Sequence, residues 1–170
     1  MKRLPKIPRG PRLFCGVAGQ GVRVSYPVRR KGWYILMDMT VSGLNVLVVE
    51  DSATMRSFVV AALEAEGYEV TTAKSGFEAM KVLAQKKFHL VITDINMPDI
   101  NGLEVVRFVR ENPTHKETPL IIISTDGRDR DRERGMKLGA SDYLIKPFKP
   151  EDLISAASRF IAKSSSKTEH

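Results

Sequence analysis

Five short apolar runs, separated by longer segments with helical spacing, restrict the folds open to this chain of 170 residues. The runs occupy residues 46–49, 68–72, 90–93, 120–123 and 143–145, and most of them are rich in Val and Ile. Each run is too short for a helix, and β-branched residues are typical of strands. We therefore predict five strands.

The segments between these runs carry apolar residues at the spacing of one helix face. The clearest stripe has members at i, i+3, i+4, i+7 and i+8, namely Met55, Phe58, Val59, Ala62 and Leu63. Strands that are apolar throughout are covered on both faces, and strands separated by helices are joined by right-handed parallel crossovers. The sequence thus predicts an α/β fold: a doubly wound, five-stranded parallel sheet with helices on both faces.

Charge and pattern divide the chain into segments. Residues 1–44 mix Pro, Gly and Arg without a sustained period, so we predict a basic, disordered N-terminal extension, a folded domain over 45–163 and a flexible tail over 164–170. Residues 1–36 hold nine Lys or Arg and no Asp or Glu, whereas residues 37–170 hold 18 basic and 20 acidic side chains. Charge therefore predicts no nucleic-acid binding by the core domain.

Three features of the sequence bear on the cellular compartment and on the role of the first residues. Cys15 is the only cysteine, which excludes an intramolecular disulfide and fits a cytoplasmic location. No apolar run is long enough for a membrane span or a secretory signal. Because Met37 and Met39 lie just before the patterned region, residues 1–36 are either a functional arm, an organelle presequence or an upstream extension of the reading frame.

Polar residues follow the predicted strands at the point where each run ends. In a doubly wound sheet, this edge is where ligands bind. The residues at this edge are Glu50 and Asp51, Asp94, Ser124 and Thr125, and Lys146 with Pro147. Three converging carboxylates would raise one another's pKa unless a cation neutralised them, and oxygen-only ligands suit Mg²⁺. With a lysine and a hydroxyl nearby, this set predicts phosphoryl transfer onto Asp94.

Four stretches, "VLVVEDS", "LVITDINMPDINGLE", "IIIST" and "GASDYLIKPF", resemble the successive motifs of the bacterial response-regulator receiver family. The resemblance covers residues 45–163. It implies the flavodoxin-like (CheY-like) strand order 2-1-3-4-5, in which the first and third strands lie side by side.

The same resemblance assigns the acceptor and its metal ligands. Asp94 resembles the phosphoacceptor, and Glu50 and Asp51 resemble the acidic pair that holds Mg²⁺ together with Asp94 and the carbonyl of Asn96. The acidic pair is Glu-Asp, where Asp-Asp is also common in the family, and the longer Glu would change the metal geometry.

The resemblance also assigns the residues of the switch. Ser124 resembles the switch hydroxyl, Tyr143 the switch aromatic, and Lys146 the lysine that contacts the phosphoryl group, with a cis bond to Pro147. Thr125 occupies a position often held by alanine, so its bulk would change access to the phosphosite and the lifetime of the acyl phosphate.

Several of these residues have a purely structural interpretation as well. Ser52, Asp99 and Asn101 are residue types that cap helices, and Tyr143 on a strand is by default a core aromatic. The alternating charges of residues 126–137 are typical of a solvated helix. We also expect no metal role for His115, which lacks companions at ligand spacing.

The predicted function is that of a stand-alone response regulator, a monomer or a phosphorylation-dependent dimer, that signals to a separate protein target. A sensor histidine kinase or phosphotransfer protein would phosphorylate Asp94 in a Mg²⁺-dependent reaction, without turnover of external substrates. Three alternatives remain: a phosphorylation-independent scaffold of the same fold, a Mg²⁺-dependent phosphatase, and a basic arm that binds nucleic acid or an anionic membrane.

Overall fold

The computed structural model describes residues 23–30, 33–40, 43–125 and 129–165. Within them, one sheet holds five parallel strands: β3 (Asn45–Val49), β4 (Glu69–Ala73), β5 (Leu90–Asp94), β6 (Leu120–Ser124) and β7 (Asp142–Ile145). Their order is β4-β3-β5-β6-β7, which is 2-1-3-4-5 when the strands are counted within this sheet. The five predicted strands and their order are confirmed.

Five helices connect and cover the strands. They are α1 (Ala53–Ala65), α2 (Gly76–Gln85), α3 (Gly102–Glu111), α4 (Asp129–Lys137) and α5 (Pro150–Ser165). No helix among the described residues is both long and apolar enough to cross a membrane. The predicted α/β class, with helices on both faces of the sheet, is confirmed.

Alternate residues of β3 contribute to two separate cores. Val46 and Val48 belong to the core that the sheet forms with α1 and α5, whereas Leu47 and Val49 belong to the core with α2 and α3. Every residue of β5 is buried, as is every residue of β6. This burial on both faces explains why these strands are apolar throughout rather than alternating.

Side-chain caps are present at the starts of three helices, and two of them, Ser52 and Asn101, are capping residues that the sequence predicted. Ser52 caps α1 and Ser75 caps α2, since their hydroxyl oxygens accept hydrogen bonds from the N–H groups of Met55 and Glu78. Asn101 caps α3 by accepting from the N–H of Leu103 at 2.8 Å. These bonds satisfy N–H groups that have no partner within the helix.

The structure differs from the sequence predictions at both ends of the chain. An antiparallel pair, β1 (Arg23–Arg30) and β2 (Trp33–Thr40), lies where no regular element was expected, so the prediction of disorder is wrong for these strands. Residues 24, 26 and 28 do alternate as apolar positions, but Pro27 among them weakens the strand signal. Helix α5 continues past the predicted domain end at 163, to Ser165. Residues 1–22 and 166–170 lie outside the described residues.

Gly102 allows the loop after β5 to approach the end of the strand. A Cβ atom at this position would lie 1.9 Å from the carbonyl oxygen of Asp94 and 2.9 Å from the Cα of Ile95, both of which are backbone atoms. The N–H of Gly102 donates to the carbonyl of Ile95 at 3.1 Å. The residue at position 102 therefore fixes where α3 begins relative to Asp94.

We predict that Gly102→Ala lowers the free energy of unfolding by about 1–3 kcal/mol, the usual cost of overpacking a site that cannot yield. Gly135→Ala is the matched control, because the one close contact of an added Cβ would there be with the terminal methyl of Ile122, at 2.5 Å, and the next nearest atom, in the side chain of Leu103, lies at 3.6 Å. That methyl can rotate away, and alanine favours the helix by about 1 kcal/mol. Urea denaturation of both variants tests this, and equal losses would contradict it.

Asp99 joins the loop after β5 to the start of α2. Its carboxylate accepts hydrogen bonds from the N–H groups of Gly76, at 3.4 Å, and Phe77, at 3.2 Å. The hydrogen bond from the N–H of Ile100 contributes most to holding the pKa of Asp99 below its ordinary value of 3.8, and the hydrogen bond from the N–H of Phe77 adds to it. The structural interpretation of Asp99 as a capping residue is therefore confirmed, although the helix that it caps is α2.

We predict that the wild type is more stable than Asp99→Asn at neutral pH and that this difference closes in acid. The folded pKa is lowered, so the stabilisation is complete above the unfolded value of 3.8 and is lost as the pH falls through the folded pKa. Thermal unfolding of both proteins between pH 7 and pH 3 measures the difference. A gap that persists unchanged below both pKa values would contradict this origin.

Candidate functional site

Three carboxylates meet at the carboxyl ends of β3 and β5. The register pairs Val49 with Thr93, so the residues that follow them, Glu50 and Asp94, lie next to each other. One carboxylate oxygen from each of Glu50, Asp51 and Asp94 lies within 4.8 Å of the other two. Glu50 and Asp94 are buried, at 1% and 4% exposure, whereas Asp51 is exposed. The sheet thus brings together the three carboxylates that the sequence predicted.

Lys146 lies between the two buried carboxylates. Its Nζ is 2.7 Å from Oε2 of Glu50 and 3.3 Å from Oδ1 of Asp94. Burial raises the pKa of Glu50, and the hydrogen bond and charge of Lys146 oppose that rise. A single ammonium group therefore compensates two desolvated carboxylates, which would otherwise be costly to bury.

Backbone contacts hold each of these side chains in place. Oε1 of Glu50 accepts from the N–H of Ser52 at 3.1 Å, and Oδ1 of Asp94 accepts from the N–H of Ile95 at 2.9 Å. The N–H of Lys146 donates to the carbonyl of Ser124 at 2.7 Å, and the bond between Lys146 and Pro147 is cis, as the resemblance implied.

The remaining predicted residues lie on β6, β7 and the loop after β5. Ser124 is fully buried at the end of β6, and the next residue, Thr125, is exposed. The side-chain amide of Asn96 donates to the hydroxyl of Thr125 at 3.5 Å, so these two side chains lie together at the rim of the site. Tyr143 is buried on β7 and belongs to the core shared with α2 and α3.

Arg56 is a residue of the site that the sequence analysis missed. Its guanidinium donates to the carbonyl oxygens of Glu50, at 2.7 Å, and Asp51, at 3.2 Å, and so holds the backbone of the acidic pair. No spacing rule predicts this contact, because it depends on how α1 leaves the sheet. The only signal in the sequence is that Arg56 is a basic residue near the start of α1, at a position outside the apolar stripe of that helix.

The donor set suits a hard divalent cation. All three side chains offer carboxylate oxygen, no sulfur or imidazole accompanies them among the described residues that group with them, and one of the three is open to solvent. Mg²⁺ prefers oxygen ligands and retains several waters, for which an exposed position leaves room. The residues present therefore fit a magnesium ion.

Known proteins match the folded part of the chain. The family model described as the response regulator receiver domain matches residues 46–158. Chemotaxis protein CheY1 of Helicobacter pylori is 41% identical over 112 residues, which are 65% of this chain and 90% of that protein. A probable transcriptional regulatory protein of Picosynechococcus is 38% identical over 117 residues, and there the chain spans only 46% of the relative's length.

Solved structures match the same region. The chemotaxis response regulator CheY4 of Vibrio cholerae is 37% identical, with a TM-score of 0.66 over 69% of this chain and 98% of that one. The receiver domain of sensor histidine kinase PA1611 of Pseudomonas aeruginosa, solved with magnesium coordinated in its active-site cleft, is 28% identical, with a TM-score of 0.67 over 71% and 99%. With the fold and the acidic pocket described above, these matches show that the chain belongs to the response regulator receiver domain family, as a CheY-like receiver of two-component signalling.

Proposed function

We propose that this receiver takes a phosphoryl group onto Asp94 from a sensor histidine kinase or phosphotransfer protein, and signals through a protein-binding surface that phosphorylation switches. The observation that carries the proposal is the position of Lys146, whose ammonium contacts both Asp94 and Glu50 while Asp51 completes a group of three carboxylates. A purely structural ion pair would not need the third, exposed carboxylate.

In the proposed reaction, a carboxylate oxygen of Asp94 forms a bond to phosphorus as the bond between phosphorus and the donor's histidine nitrogen breaks. The electron pair of that bond stays with the imidazole, which takes up a proton. Lys146 already lies 3.3 Å from Asp94 and would pair with an oxygen of the transferred group. Magnesium, held by Glu50, Asp51, Asp94 and the carbonyl of Asn96, would neutralise the charge on the phosphoryl oxygens.

The proposed switch begins at Ser124, the buried residue at the end of β6. We propose that its hydroxyl turns to the phosphoryl oxygens. Tyr143 already lies inward, at 6% exposure, so phosphorylation would stabilise this buried position rather than create it. The switched surface would comprise α4, β7 and α5, where Met136 and Ile145 are large apolar side chains at 43% and 44% exposure.

The rim of the site would set the lifetime of the acyl phosphate. Asn96 and Thr125 are both exposed and linked by a hydrogen bond at 3.5 Å, and they flank the position that the phosphoryl group would take. We propose that the bulk of Thr125 limits the access of donors and water to that group. The division into a basic extension (1–44), the receiver (45–163) and a tail (164–170), the cytoplasmic location and the monomer or phosphorylation-dependent dimer stay predictions.

We predict that incubation with acetyl phosphate and Mg²⁺ adds one phosphoryl group to the wild type and none to Asp94→Asn, as measured by intact-protein mass. Asp99→Asn is the matched control, because it removes an exposed carboxylate from the same loop and should leave phosphorylation intact. A phosphoryl group on Asp94→Asn would refute the assignment of the acceptor. No gain with acetyl phosphate or with a histidine-phosphorylated donor would favour the phosphorylation-independent scaffold.

We predict that Mg²⁺ raises the melting temperature of the wild type because it binds only the folded carboxylate group. At a concentration ten times the Kd, the gain is about 1.4 kcal/mol. Asp51→Asn should lose most of this gain, whereas Glu64→Gln, which removes an exposed carboxylate from α1, should keep it. Equal gains in both variants would place the ion elsewhere.

A further inference from the structure

A groove of about 450 Å³ lies between α3 and α4, apart from the phosphosite. Leu103 and Leu138 line it, and both are half-buried against the core that the sheet forms with α2 and α3. Gly135 lets α4 pack closely here, since an added Cβ would lie 2.5 Å from Ile122 and 3.6 Å from Leu103. The groove therefore has an apolar lining set by the packing of α4 on the sheet.

The charged residues that line the groove are mostly cations. Arg107 comes from α3, and Arg134 and Lys137 come from the last turn of α4, against the single carboxylate of Glu104. Within the described part of the chain, Arg107 and Arg134 are exposed and form no ion pair. Among the residues that the structure describes, Lys137 forms one ion pair, with Glu133 at 3.7 Å, and both of these side chains are largely exposed. Such a contact is weak, so it does not neutralise the groove.

A fourth cation is fixed beside the groove. Arg110, also on α3, donates its Nε–H to the carbonyl of Gly139 at 2.9 Å, next to Leu138. Its other hydrogen bonds go to the carbonyls of His115, Lys116 and Thr118, at 3.5, 3.0 and 2.8 Å. Burial lowers the pKa of Arg110, and the negative charge of Glu117 opposes that fall. The guanidinium therefore lies near a carboxylate, which offsets part of its positive potential at this end of the groove.

We propose that this groove binds an acidic, leucine-rich peptide segment of a partner protein. The cations are spread over two helices, so they match a run of several carboxylates better than one small anion. The half-buried leucines can contact apolar side chains that lie between those carboxylates. The α3 side of the groove lies outside the surface proposed above to respond to phosphorylation, and the two surfaces share α4. The interaction does not require a phosphoryl group on Asp94.

The test uses the unphosphorylated, full-length chain labelled with ¹⁵N and a short peptide of alternating Glu-Glu and Leu-Leu pairs. Amide shifts of Leu103, Arg107 and Leu138 should move and saturate, and a peptide with Gln in place of Glu should cause much smaller changes. Because residues 1–36 are basic and will attract acidic peptide in every variant, the location of the shifts is the primary readout.

Two double variants with the same loss of charge separate the groove from general attraction. Arg107→Ala with Arg134→Ala should weaken binding at the groove about fivefold to tenfold, as expected for two exposed ion pairs. Arg130→Ala with Arg132→Ala, which removes two exposed cations of α4 that do not line the groove, should leave the affinity unchanged. Unchanged melting temperatures would show that all four substitutions leave the fold intact.

Four results would overturn the proposal: no saturable shifts at Leu103 and Leu138, shifts that map elsewhere, equal weakening by both double variants, or the same shifts with another anion. Inorganic phosphate at the peptide's concentration is the small-anion comparison, and a single-stranded DNA oligonucleotide is the polyanion comparison. If either reproduces the shifts, the groove responds to charge alone and not to an acidic peptide.

Discussion

The burial of two carboxylates at the end of the sheet is the constraint on which the site depends. Glu50 and Asp94 lie at the carboxyl ends of adjacent strands of a sheet that is covered on both faces, so water cannot solvate them fully. Lys146 supplies the compensating charge from a third strand, which lies two positions from β5 in the sheet. The relative positions of β3, β5 and β7 in the sheet therefore bring these three charges together, so that each buried carboxylate has a partner.

Short backbone contacts then fix the loop that carries Asp94. The carbonyl of Asp94 lies against the Cα of Gly102, and the N–H of Ile95 binds the carboxylate itself. On the neighbouring strand, Arg56 holds the carbonyl groups of the acidic pair. These contacts order the carboxylates through the main chain.

The sequence predicted the sheet and the grouping of the three carboxylates because both depend on local pattern. Runs of Val and Ile marked the strands, and residues such as Asp94 stood at their ends, where a parallel sheet gathers them. The contacts of Arg56 and the close approach at Gly102 were not predictable, since they depend on the angle between helix and sheet. The β1 and β2 pair was missed because Pro27 obscured a weak alternation, and nothing in the local pattern predicted that His115 is buried against the carbonyl of Leu83.

The loop between Asp94 and Gly102 is anchored at three places along its length. Gly102 donates back to Ile95, Met97 donates to the same carbonyl, and Asp99 holds the start of α2. An added Cβ on Gly76 would lie 2.6 Å from the Cβ of Ile100, so the loop also lies directly on that helix. A segment bound in this way has no slack to absorb an added or deleted residue. Tags, linkers and inserted domains for engineered versions of this receiver therefore belong at other surface loops.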